Sequence, residues 1–251
     1  MASRRVDSLT YRLETDDTVF FDAAPVSHET DTFSLRLEDD KLIIDLYKHF
    51  SSVEEARARL EPFLEAWEVK YAIQHCERQI SFSYEYAEVV SEESEDDVII
   101  VEGLKHQVEL SGRASFHVER EKYPDPPKKF RLSPNARTLW NRYEGYEEGQ
   151  EPLFSMGYAC LDFLRWRAGG QKKAAKKYNI SRGLLQKLGT LTAKRGHHEV
   201  ARKPSKTKGE ATPEEKKWIE EAVQKIVLQV GISDAGHDPE TLTKGDLPPL
   251  P

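Results

Sequence analysis

Apolar and polar residues alternate along much of the first 121 positions and then give way to a period of three to four. Phe33, Leu35 and Leu37 stand against polar neighbours, as do Leu42, Ile44 and Leu46, and later Ile80, Phe82, Tyr84 and Tyr86. Strict alternation places every second side chain on one face, so these runs predict half-buried strands. Asp39 and Asp40 between the first two runs predict a hairpin, and residues 98–101 and 107–118 add further strands, with Gly112 at a bulge or bend. One helix interrupts this half. Ser51 or Ser52, each with Glu three residues on, offers a capping box, and Ala56, Leu60, Phe63, Leu64, Trp67 and Tyr71 fall on one helical face. Pro62 inside that pattern predicts a kink or a displaced start.

The proline-rich stretch 123–129 breaks the alternation and marks a boundary, because proline at that density favours an extended linker. Beyond it the period is helical. Ser133-Pro134 predicts a helix through Leu139, Trp140 and Tyr143 that stops near Gly145 or Gly149. Pro152 opens another, with Met156, Cys160, Phe163 and Leu164 on one face and Gly169-Gly170 as its stop. Thr212, Pro213 and Glu215 precede an amphipathic run from Trp218 to Val230, which Gly231 is expected to end. The expected fold class is therefore α+β: a mixed or antiparallel sheet with one covering helix (1–121), a linker (122–133), a helical domain (134–231) and a tail (232–251). All four tryptophans, Trp67, Trp140, Trp166 and Trp218, fit core faces by spacing.

Charge changes this picture. The net charge is −7 over 251 residues, yet residues 1–160 carry 19 Lys/Arg against 33 Asp/Glu, residues 161–210 carry 14 against 3, and residues 211–251 carry 4 against 8. Counterion release supplies most non-specific affinity for nucleic acid, so an acidic whole excludes a general nucleic-acid coat and leaves one local basic segment. The two cysteines, Cys76 and Cys160, have no ligand pattern around them, which argues against a disulfide framework and against structural zinc. With no signal-peptide core and no run of 18 apolar residues, the expectation is a cytoplasmic protein without a membrane role.

Residues 171–191 resemble a helix-turn-helix in spacing. That motif needs a small residue at the helix crossing, an apolar residue three later, a turn residue able to take positive φ, then further apolar anchors. Ala175, Tyr178, Asn179, Ile180, Leu185 and Leu188 occupy those places, and Ser181 would cap the second helix. The resemblance implies DNA or RNA as partner, with Arg182, Gln186 and Lys187 facing outward toward base edges or phosphates and Lys172, Lys173, Lys176 and Lys177 on phosphates. Lys194, Arg195, Arg202 and Lys203 extend the basic surface into the following loop. Gly183 weakens the first turn of the second helix, and Gly189 is expected to end it after two turns.

Helix order and aromatic-rich helices from 132 to 230 also resemble HEPN-type domains of prokaryotic defence and nucleotide-handling proteins, and the arrangement as a whole looks like uncharacterised bacterial proteins. Ribonucleases of the HEPN family carry Arg, four to six residues, then His; no histidine here has Arg at that distance. The resemblance thus implies a non-cleaving member that binds RNA, nucleotide or a protein partner. No G-x-S-x-G, P-loop, G-x-G-x-x-G or H-E-x-x-H occurs, so no enzyme, cofactor or metal is expected. Trp166 between Arg165 and Arg167 is the one candidate stacking platform for single-stranded nucleic acid. The second expectation is a protein-interaction or scaffold subunit, with a protein partner or a homo-oligomer in place of nucleic acid.

Overall fold

The computed structural model describes residues 4–15, 19–75, 80–91, 98–103, 118–194 and 211–250. The chain forms two compact units, Met1–Lys128 and Lys129–Pro251. The first is a sheet with a helix, the second is helical, and together they make an α+β protein. No helix among the described residues is long and apolar enough to cross a membrane.

In the first unit β1 (Arg4–Thr15), β2 (Val19–Phe21), β3 (Val26–Glu29), β4 (Phe33–Glu38), β5 (Lys41–Leu46), α1 (Val53–His75), β6 (Ile80–Ser91), β7 (Val98–Gly103) and β8 (Val118–Arg120) follow in chain order. Six strands make an antiparallel sheet in the order β3-β4-β5-β1-β6-β7, and β2 pairs with β8 in a small parallel ladder. Asp39 and Asp40 turn the β4–β5 hairpin with φ of 48° and 57°, the left-handed pair that a two-residue hairpin loop demands. Alternation then sends Leu35, Leu37, Leu42 and Ile44 to one face, where Leu60, Leu64 and Trp67 of α1 bury them. Each fully buried large apolar side chain stabilises the unit by about 1.5–3 kcal/mol. The Ser52 hydroxyl accepts from the Glu55 N–H at 3.2 Å to cap α1, and exposed Pro62 sits inside the 23-residue helix, whose start it does not displace. The expected strand 107–118 with Gly112 lies almost wholly outside the described residues.

In the second unit α2 (Pro134–Glu147), α3 (Leu153–Ala168), α4 (Gln171–Lys177), α5 (Arg182–Lys194) and α6 (Pro213–Asp234) pack around one core. Ser133 caps α2, and Thr212 with Glu215 forms a reciprocal capping box on α6. Trp218, Ile219, Ala222, Val223, Ile226, Val227 and Val230 of α6 are all buried. At the far end of that helix Asp234 accepts from Ser133 (2.7 Å) and Asn135 (2.8 Å), which fixes it to the start of α2.

Three expectations fail here for physical reasons. Gly231 does not end α6, which runs on to Asp234; glycine is there because a Cβ would overlap the Phe130 ring and lie 2.8 Å from the Arg131 carbonyl. The stretch 122–133 is not a free spacer, since Tyr123 is buried in the first unit and Phe130 and Leu132 are buried as well. Residues 235–250 are not a loose tail: Leu242 and Leu247 are buried, and Leu242 bridges to Ile180. That segment carries no long period because one short 3-10 turn, a few backbone bonds to residues 179–181 and side-chain bonds hold it in place.

Candidate nucleic-acid interface

The basic surface is built on α4, α5 and the turn between them. Gly169 (φ 72°) and Gly170 (φ 125°) reverse the chain after α3, as only glycine does at low cost. α4 buries Ala174 and Ala175 and exposes Lys172, Lys173, Lys176 and Lys177. Tyr178, fully buried, ends the helix, and Asn179 follows at φ 48°. The Ile180 N–H then donates to the Ala175 carbonyl at 2.9 Å, the six-to-one bond of a Schellman turn with asparagine in the left-handed position. Ser181 starts α5, its hydroxyl accepting from the Leu184 N–H at 3.2 Å. Leu184, Leu185, Leu188 and Leu191 point into the core, while Arg182 and Gln186 are exposed and Lys187 is half-buried.

The C-terminal segment locks this turn. The Leu242 N–H donates to the Asn179 carbonyl (3.0 Å), and the Ser181 N–H donates to the Leu242 carbonyl (2.8 Å). The Asn179 amide donates to the Pro239 carbonyl at 2.8 Å, and its oxygen accepts from the Thr241 hydroxyl at 3.0 Å. Asn179 therefore serves twice, through its tolerance of positive φ and through two side-chain bonds. Asn179→Gly, which keeps the first role, is expected to cost about 1 kcal/mol, and Asn179→Ala, which keeps neither, about 2 kcal/mol. Thermal unfolding of the three proteins checks the order; alanine as stable as asparagine would contradict it.

Gly189 is a second glycine whose role differs from expectation. α5 continues through it to Lys194, because Leu161 of α3 lies 3.0 Å from where its Cβ would be. The surface is consequently more than three turns long. Gly183 lies under the Lys244 side chain, whose Cε is 3.4 Å from its Cβ position. Exposed Lys244 thus adds a cation over the first turn of α5 that spacing alone did not assign to the site. The Thr243–Asp246 capping pair holds the short 3-10 turn Lys244–Asp246 that carries it.

Electrostatically this corner is one-sided. Residues 171–194 contain seven Lys/Arg and no Asp/Glu. Among the described residues, Lys172, Lys173, Lys176, Arg182, Gln186 and Lys187 make no side-chain hydrogen bond or ion pair, and the Lys177 ammonium rests 4.9 Å from the Tyr178 ring centre. Lys194 closes α5, and Arg195, Arg202 and Lys203 lie outside the described residues, as do His197 and His198. Cys160 is fully buried, and burial pushes its thiol up to about 12, so it stays protonated. No group of three or more His, Cys, Asp or Glu among the described residues is placed to hold a metal ion.

The chain matches no protein family, no curated protein and no solved structure.

Proposed function

We propose that α4, the Asn179 turn and α5 form a non-catalytic nucleic-acid-binding helix-turn-helix. Lys172, Lys173, Lys176 and Lys177 contact phosphates, and Arg182, Gln186 and Lys187 face the bases, with Lys194, Arg195, Arg202 and Lys203 extending the basic track. One observation carries this reading: where cations sit on the helices. A helix N-terminus is the positive end of the dipole, and acids there stabilise it. α1 and α6 follow that rule, with Glu54 and Glu55 in one first turn and Glu214 and Glu215 in the other. α2 and α3 also lack a first-turn acid, but of these helices only α4 and α5 carry Lys or Arg within their first three residues, Lys172, Lys173 and Arg182, with Lys244 alongside. Each such cation costs about 0.3–1 kcal/mol by the dipole alone, and a bound phosphate reverses the sign. A merely solvated helix face gains nothing from that placement.

Titration of the purified protein with labelled double-stranded DNA and with structured RNA, at two salt concentrations, tests the proposal. Binding that weakens steeply with salt is expected, with a log–log slope of about −0.9 for each phosphate contacted on duplex DNA. Absence of binding to both ligands would overturn it and leave a protein-interaction or scaffold subunit as the reading to pursue.

A further inference from the structure

The face of α3 that leads to α4 carries a feature the basic corner does not explain. Of the four tryptophans, Trp67, Trp140 and Trp218 are buried, whereas Trp166 is 73% exposed, contrary to the core position its spacing suggested. Asp162, one helical turn earlier, is exposed too, and Phe163 lies half-buried with its ring centre 6.4 Å from that of Trp166. With Tyr158, Ala159 and Arg142 of α2 they line an open cavity of about 410 Å³. Arg142 has an acidic partner, its Nη1–H reaching the Glu151 carboxylate at 3.2 Å. The Asp162 carboxylate makes no hydrogen bond or ion pair among the described residues, and it is the only acid between positions 152 and 198.

We propose that this groove takes one unpaired base of the polynucleotide held on α4 and α5, stacked on Trp166, with guanine preferred through Asp162. The inference rests on the nucleic-acid reading above. An exposed indole beside cations suits a base, whose flat π face stacks while its phosphates meet the charges. The Arg167 guanidinium lies 5.6 Å from the Trp166 ring centre, and Arg165 donates to Gln171 at 2.9 Å, joining the end of α3 to the first residue of α4. A strand leaving the groove would meet Lys172 and Lys173 next. A carboxylate offers two acceptors and no donor, and guanine alone among the bases presents two adjacent donors, N1–H and N2–H, on its pairing edge. Asp162 and the rings would also accommodate a cationic side chain from a protein. Against that occupant stand Arg142, Arg165, Arg167 and the lysines of α4, which repel a basic peptide and attract a polyanion.

Fluorescein-labelled hairpins, blunt or with a three-nucleotide overhang of G, A or C, in DNA and RNA versions, test the proposal with the full-length chain. In at least one of the two sugars the G overhang is expected to bind about tenfold more tightly than the blunt hairpin. Trp166→Ala is expected to abolish that difference and leave blunt binding intact. Asp162→Asn is expected to equalise G with A while keeping the gain from stacking. Both side chains are exposed, so neither change disturbs the core. Equal affinity of wild type for blunt and overhanging hairpins would overturn the proposal while leaving the helix-turn-helix reading standing. So would an undiminished overhang preference in Trp166→Ala, or quenching of tryptophan fluorescence by a Lys-rich peptide in place of the overhang. Failure of wild type to bind any hairpin would overturn both readings.

Discussion

Gly231→Ala is expected to destabilise the helical unit by about 2–3 kcal/mol, although alanine ordinarily improves a helix interior by about 1 kcal/mol. The added methyl has no space, since it would fall within the Phe130 ring and 2.8 Å from the Arg131 carbonyl, whose own N–H donates to the Gly231 carbonyl. Phe130 is buried and Arg131 is held through backbone, so relief requires the chain before α2 to move. Gly145→Ala is the control. Gly145 also lies inside a helix, but nothing stands within 4 Å of its Cβ position, and that change is expected to stabilise by about 0.5–1 kcal/mol. Chemical denaturation of both variants reads the two signs. A stabilising Gly231→Ala would mean that α6 and the segment before α2 do not approach as closely as described.

Reversing two charges on α4 is expected to weaken nucleic-acid binding by about 100-fold at 0.1 M salt, because each lost phosphate contact also lowers the salt dependence. Lys172→Glu with Lys176→Glu is the informative pair. Both side chains are exposed and make no bond among the described residues, so folding has nothing to lose. Lys172 in the first turn of α4 even opposes the dipole, and glutamate there is expected to raise the thermal midpoint slightly. Stability and binding thus move in opposite directions, which a structural role for these lysines would not produce. Arg182→Ala and Gln186→Ala are expected to flatten discrimination between sequences by about 1–3 kcal/mol while leaving the salt slope nearly intact. Affinity unchanged by the double reversal would remove α4 from the interface.

Much of the fold could be read from the sequence because local physics and tertiary packing agree in it. The alternation in Phe33–Glu38 and Lys41–Leu46, the Asp39-Asp40 turn, and the caps at Ser52, Ser133 and Thr212 each carry their own signal. The strand between β5 and β6 in the sheet, β1, carries none so clear. The register shift between Val6 and Ser8 leaves Asp7 as an extra residue on β1 and breaks the period of two, so Val6 does not read as one alternating run with Leu9, Tyr11 and Leu13. Gly189 and Gly231 misled for one shared reason: glycine at a close helix approach looks, in one dimension, like glycine at a helix stop. Trp166 differs in the other direction, since helical spacing places a residue on a face without saying whether anything covers it. For the site, the basic residues and the Asn179 turn were legible by spacing. Lys244 was not, because only the folded path of residues 239–246 brings it over Gly183, some sixty positions away in the chain.

The proposed interface places nucleic acid on α4, the turn and α5. Amide chemical-shift mapping of the isotope-labelled protein with a saturating duplex, and separately with a structured RNA, tests it most directly. The largest shifts are expected on residues 171–187 and on Lys244, with the sheet unit unaffected. Shifts concentrated on the sheet unit, or none with either ligand, would contradict it.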